Sequence, residues 1–178
     1  MTRSLRFTIL ILFSALLTVS CTNRNTGHSV SSPDGLNKLT FHVDQGIPVY
    51  AFERKGESIF LPSKLGFVMK DGTRLGEKMK IDDIVRSSFN ETWEQPWGEK
   101  RLIENRYEEM KVHLSSGNGD PLFLNLFFRV YNDGFAFRYE IPEQAAFDSL
   151  IIADELSQFA LATIDSAWWI PAYKGVYY

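Results

Sequence analysis

The chain has 178 residues, with 44% hydrophobic and 14% aromatic content, which is too apolar for a disordered protein and enough for one domain with a packed core. Its net charge is −3, and no cluster of Lys and Arg interleaves with the aromatic residues, so a nucleic-acid surface is excluded. Cys21 is the single cysteine, so no disulfide within the chain can form.

Residues 1–20 have the layout of an export signal. Arg3 and Arg6 form a basic end and Phe7 to Leu17 an apolar stretch, shorter than the roughly 20 apolar residues that span a bilayer. Leu17-Thr18-Val19-Ser20-Cys21 resembles the bacterial lipoprotein cleavage box, in which the cysteine becomes the lipidated first residue. Thr18 stands where leucine is more usual, which leaves cleavage by an ordinary signal peptidase open. The expectation is an exported protein, in the periplasm or at the outer membrane and lipid-anchored through Cys21. Residues 21–32 are mostly Asn, Thr, Gly, His and Ser and read as a flexible tether, so the folded domain is expected over 33–178.

From Leu36 onward the pattern has a period of two. Leu39, Phe41 and Val43 alternate with polar residues, and Gln45-Gly46 turns the chain into Ile47 to Arg54, a hairpin signature. Lys55-Gly56-Glu57 turns again into Ser58 to Leu61, and Lys64 to Met69 precedes the turn dipeptide Asp71-Gly72. Leu75 to Val85 is ambiguous, because Leu75, Met79 and Val85 also suit a short helix. Met110, Val112 and Leu114 mark another strand. Leu122 to Tyr131 then sets Leu122, Leu124, Leu126, Phe128 and Val130 on one face, and Asn132-Asp133-Gly134 turns it into Phe135 to Ile141. Phe147 to Ile152 and Phe159 to Ile164 read as two more strands around an acidic turn at Asp154-Glu155. The sum is an all-β antiparallel sandwich.

All four tryptophans lie in two segments, Ser88 to Glu99 and Ala167 to Ala172. Trp93 and Trp97 either plug the core or a neighbouring domain, the commoner use of aromatic area, or form a platform for sugar with Glu99 accepting bonds from hydroxyls. Trp168 and Trp169, adjacent in an extended segment, point to opposite faces, so one can be buried and the other meet a partner. Glycoside hydrolysis needs two carboxyl groups facing each other across the bond, and Glu91, Glu94 and Glu99 could supply them only if their loop curls. Charges flanking tryptophans are more simply solvated or paired with Lys100 and Arg101. His28, His42 and His113 have no metal-ligand spacing.

Ser31-Ser32-Pro33-Asp34-Gly35, Leu65-Gly66-Phe67, Glu91-Thr92-Trp93 with Trp97-Gly98-Glu99, Phe128-Arg129-Val130 to Asn132-Asp133-Gly134 with Phe137-Arg138-Tyr139, and Ala167-Trp168-Trp169-Ile170-Pro171-Ala172 follow in order. Together they resemble the N-terminal domain of glycoside hydrolase family 97, which contains bacterial α-glucosidases and α-galactosidases. The resemblance implies a β-supersandwich similar to the galactose-mutarotase-like fold, incomplete here at the C-terminus. It also implies a (β/α)8 barrel as partner, carrying the catalytic carboxylates and most calcium ligands of the complete enzyme. On that reading this chain holds no catalytic residue, no metal ligand and no cofactor, and is the accessory domain of an exported glycoside hydrolase without its barrel. The alternative is a stand-alone lipoprotein that binds carbohydrate or another protein.

Overall fold

A computed structural model describes residues 27–117, 121–146, 149–164 and 166. Cys21, Trp168 and Trp169 lie outside the described residues. Among those described, every regular element is a strand: β1 (His28–Ser31), β2 (Asn37–Asp44), β3 (Ile47–Arg54), β4 (Glu57–Lys64), β5 (Phe67–Met69), β6 (Arg74–Leu75), β7 (Met79–Glu94), β8 (Leu102–Ser116), β9 (Phe123–Val130), β10 (Phe135–Glu140) and β11 (Ile152–Glu155). They form two four-stranded sheets, in the orders β1-β2-β3-β4 and β10-β9-β8-β7, and a three-stranded sheet β11-β5-β6. All pairings are antiparallel.

The expected hairpins form where turn chemistry demands them. Gln45 and Gly46 have φ of 49° and 84°, and Lys55 and Gly56 have 53° and 81°, so both turns have the left-handed central pair that matches strand twist. The period-two pattern puts Leu39, Phe41, Tyr50 and Phe52 of the first sheet against Met110, Val112, Leu114, Leu124, Leu126, Phe128 and Val130 of the second, all buried. Phe128 lies at the centre of this core, with ring centroids 5.4 Å from Phe41 and 6.4 Å from Tyr50.

Two motifs far apart in sequence meet at one end of the sandwich. The Asn37 side chain donates to the Tyr131 carbonyl at 2.7 Å, and Arg54 Nη1 donates to Asn37 Oδ1 at 2.7 Å and to the Asn132 carbonyl at 3.0 Å. The Asp34 amide donates to Asn132 Oδ1 at 3.1 Å. The Ser32 hydroxyl and the Leu36 amide bond the Asp34 carboxylate and hold it below its ordinary range. The Ser-Pro-Asp-Gly and Asn-Asp-Gly segments are thus a latch between the two sheets.

Three expectations change. Leu75 to Val85, open to a helix or strands by sequence, forms β6 and the start of β7; Leu75 and Met79 lie in different strands, and a register shift between Ile81 and Asp83 moves the inward position from Ile81 to Ile84 and leaves Val85 exposed. The strand near Asp154-Glu155 includes those acids, since β11 runs Ile152–Glu155 against β5, while Phe159 to Ile164 contributes a single bridge from Leu161 to Phe60 and loop hydrogen bonds to β4. His28–Ser31, placed in the tether by composition, forms β1 against β2 and buries Val30, so the ordered fold starts ahead of Pro33.

Two buried phenols make stability sensitive to high pH. Burial pushes Tyr50 and Tyr139 up to about 12; the Tyr50 hydroxyl donates to the Gln158 carbonyl at 2.8 Å, and Tyr139 shares a 2.6 Å bond with the Ser157 hydroxyl. The unfolded chain loses these protons near pH 10 while the folded chain keeps them, so their contribution is fully present below about pH 10 and is lost as pH rises towards 12. Urea midpoints are expected to fall between about pH 10 and 11.5 in the wild type, and less steeply in Tyr139→Phe. A midpoint flat across that window would overturn this account.

Candidate functional site

The feature that stands apart from the sandwich is an arm. β7 and β8 stay in unbroken register from Asp83↔His113 to Glu94↔Leu102, but β9 pairs with β8 only as far as Glu108. Beyond that point, among the described residues, the sheet narrows to a two-stranded ribbon, a structure that is marginal without further packing.

Strand alternation sorts the arm's side chains. Even-numbered residues of β8 from Met110 to Leu114 face the core, so odd-numbered ones face outward, and directly opposed residues share a face. Phe89, Glu91 and Trp93 therefore sit outward with Tyr107, Asn105 and Ile103. Phe89 stacks on Tyr107 at 5.2 Å, Tyr107 meets Tyr131 at 5.2 Å, and the Arg129 guanidinium lies 4.5 Å over the Tyr107 ring. Glu109 anchors Arg129 at 2.6 Å. On the core side Ser88 donates to Glu108 across the ribbon.

The tip is a braced loop. The Gln95 amide N–H donates to the Arg101 carbonyl at 3.0 Å, its side chain donates to the Lys100 carbonyl at 2.6 Å, and Arg101 Nε bonds Glu94 Oε1 at 2.7 Å. Trp97 projects from this loop 85% exposed, and Trp93 is 45% exposed, so neither plugs the core. The Arg101 bond accounts for one of the three acids near the tryptophans, while Glu91 and Glu99 are exposed on the open arm.

A groove of about 690 Å³ lies at the arm's base, between Lys100, Leu102 to Glu104 and Arg106 on one side and Tyr131, Asn132 and Asp133 on the other. It offers one aromatic face with acceptors at Glu104 and Asp133 and donors at Lys100 and Arg106, the mixture that suits a polyhydroxylated ligand. Sequence reading missed Glu104, Arg106 and Tyr131 in this role. The alternation of charged and apolar residues in β8 looks like any solvated edge, and only the folded register brings the 131–133 hairpin beside it.

Among the described residues no three His, Cys, Asp or Glu side chains converge to hold a metal ion. His113 instead shares a 2.8 Å bond with Asn125.

The sequence matches the family described as glycosyl-hydrolase 97 N-terminal over residues 30–177. The chain belongs to that family. It is 28% identical over 127 residues to the "Retaining alpha-galactosidase" of Bacteroides thetaiotaomicron, covering 70% of this chain and 18% of that protein. It is also 28% identical over 185 residues to the "Probable retaining alpha-galactosidase" of Streptomyces bingchenggensis, covering 98% of this chain and 28% of that one. A glycoside hydrolase family 97 enzyme of Pseudoalteromonas sp. strain K8, solved in complex with panose, superposes with a TM-score of 0.76 at 32% identity, over 82% of this chain and 22% of that one. The chain thus spans between about a fifth and just over a quarter of these relatives, and the all-β antiparallel sandwich is the fold of this family's N-terminal domain.

Proposed function

We propose that this chain is the N-terminal accessory domain of an exported glycoside hydrolase acting on α-glucosides or α-galactosides, with the arm as its working surface. The observation that carries the reading is the braced tip, which presents Trp97 and, behind it, Trp93, on an arm whose β8 strand also lines a groove of mixed donors and acceptors. Indole left in water is costly unless it meets a flat partner, and a sugar ring is such a partner. The relatives named for α-galactosidase activity and the enzyme seen with panose support carbohydrate as the ligand class. In this reading the domain docks on a catalytic barrel, and hydrolysis belongs to the barrel's carboxylates. Trp168 and Trp169, outside the described residues, are proposed from sequence alone as further contacts to sugar or to the barrel.

Titration with maltooligosaccharides and with α-galactosides, followed by tryptophan fluorescence, tests the sugar contact. One series is expected to shift the emission at millimolar concentration, and Trp97→Ala to weaken that binding about tenfold or more. Because Trp97 packs on so little, the same substitution should change stability by no more than about 0.5 kcal/mol. No shift with either series would overturn direct sugar contact.

Export and anchoring are part of the proposal. Met1 to Ser20 would be removed and Cys21 acylated, holding the domain to a membrane in the periplasm or at the outer membrane. Labelled palmitate is expected in the wild-type protein expressed in a bacterial host and absent from Cys21→Ser; equal labelling of both would reject the anchor.

A further inference from the structure

Among the described residues strand β7 ends its sheet, paired with β8; its other side is held only near its start, where the Met79 amide donates to the Gly46 carbonyl at 2.8 Å and Arg86 Nη2 to the Ser29 carbonyl at 3.4 Å. The other sheet edges are short or covered: β1 has four residues, β10 six, and β4 is bonded by Ala160 and Ala162 through Leu61 and Ile59. The first half of β7 is guarded against strand addition by Lys80, Asp82, Asp83 and Arg86 and by the register shift after Ile81. From Ser87 to Trp93 that protection stops. The segment has one charge, Glu91, no proline and no bulge, and all its residues are exposed. A long, regular, nearly uncharged edge is a template for another strand.

We propose that the occupant is a second copy of this chain, with Arg86 to Glu94 pairing antiparallel to itself about a two-fold axis at Asn90. Charge complementarity selects both the partner and the register. Centred there, Arg86 of each copy opposes Glu94 of the other, where it would meet Oε2 while Arg101 of the same chain keeps Oε1 at 2.7 Å; Ser88 opposes Thr92, and Ser87 opposes Trp93. Displacing the register by two residues sets Arg86 against Thr92 or against Pro96 and loses both ion pairs. Opposed residues share a face, so Phe89 and Trp93 of both copies gather on one side of the joined ribbon. Nine residues at about 3.4 Å each give a ladder of about 30 Å, and it converts two marginal two-stranded arms into one four-stranded sheet. Because each arm projects beyond its sandwich, the two bodies sit at opposite ends of the ladder. Each tip loop then lies alongside Val85 of the other copy, itself an exposed apolar side chain. The ladder uses backbone groups on the β7 edge and leaves the groove on the β8 side open, so this inference stands apart from the sugar reading.

Sedimentation equilibrium on the full chain tests it, using wild type, Arg86→Glu, Glu94→Arg and the double reversal. Wild type is expected to dimerise at micromolar concentration, each single reversal to weaken the dimer about tenfold or more, and the double reversal to restore it. Arg86 and Glu94 are eight positions, or about 27 Å, apart on one strand, so restoration cannot arise within a chain. Circular dichroism should show all four proteins folded, since both side chains are exposed; because Glu94→Arg also breaks the bond to Arg101, Arg101→Ala is the control, expected to leave the dimer intact, and its dissociating the dimer as Glu94→Arg does would overturn the proposal. A wild type that stays monomeric up to about 100 µM, a dimer indifferent to the single reversals, or a double reversal that stays weak would each overturn the proposal.

Discussion

Phe128→Ala is expected to destabilise the domain by about 3–5 kcal/mol, enough to remove most of the margin of a typical domain. The ring has no exposed surface and sits where the two sheets meet, 5.4 Å from Phe41 and 6.4 Å from both Tyr50 and Phe137. Its neighbours are fixed by backbone pairing: Phe128 opposes Met110 on β8 and Phe137 on β10, so none can move into the gap without breaking a ladder. The loss is therefore the transfer energy of the ring plus a cavity that does not collapse. Equilibrium urea unfolding checks this, as a midpoint shift at unchanged slope. Phe127→Ala is the contrast one residue away. Its ring faces outward beneath Lys111 and Arg138, with the cations 4.7 and 4.3 Å from its centroid, and should cost about 1 kcal/mol. Equal losses at the two sites would show that the alternation of β9 does not divide core from surface.

That alternation was the most legible part of the molecule. Leu39 with Phe41, Met110 with Val112 and Leu114, and the Leu122 to Tyr131 run announce buried faces by period alone, and Gln45-Gly46, Lys55-Gly56 and Asn132-Asp133-Gly134 announce the turns between them. Legibility fails where a strand is held by backbone pairing with little burial. β11 is exposed at all four residues, so its acids read as a turn, and β1 buries only Val30 among Ser and His. Leu75, Met79 and Val85 suited a helix because the turn between β6 and β7 and the extra residue near Asp82 both break the period of two. The arm was legible in composition and not in geometry. Trp93 and Trp97 stand out in the sequence, but their exposure follows from β8 outrunning β9 by the six residues from Leu102 to Tyr107, and strand-length mismatch leaves no periodic trace.

The difference between sites that hold the fold and sites left for a partner is clearest in the glycines. Gly76→Ala is expected to cost about 3 kcal/mol or more. Gly76 has φ of 111°, and a Cβ there would lie 2.8 Å from the Gly66 Cα and 2.8 Å from the Leu65 carbonyl oxygen. Both obstacles are backbone, flanked by the buried Leu65 and Leu75, so relief requires moving one strand connection away from the other. That movement would draw Gly66 from its bonds to the Tyr139 hydroxyl at 3.3 Å and to the Leu156 amide at 2.8 Å, loosening the sheet that holds β11. Gly72→Ala separates the two contributions. Gly72 has φ of 88° but nothing within 4 Å of its added Cβ, so it carries the conformational penalty alone, about 1 kcal/mol. Thermal or urea unfolding should therefore rank wild type above Gly72→Ala and Gly72→Ala well above Gly76→Ala. If the two variants were equally stable, the close approach of Gly66 and Gly76 would have no energetic meaning, and Leu65-Gly66-Phe67 would need another explanation.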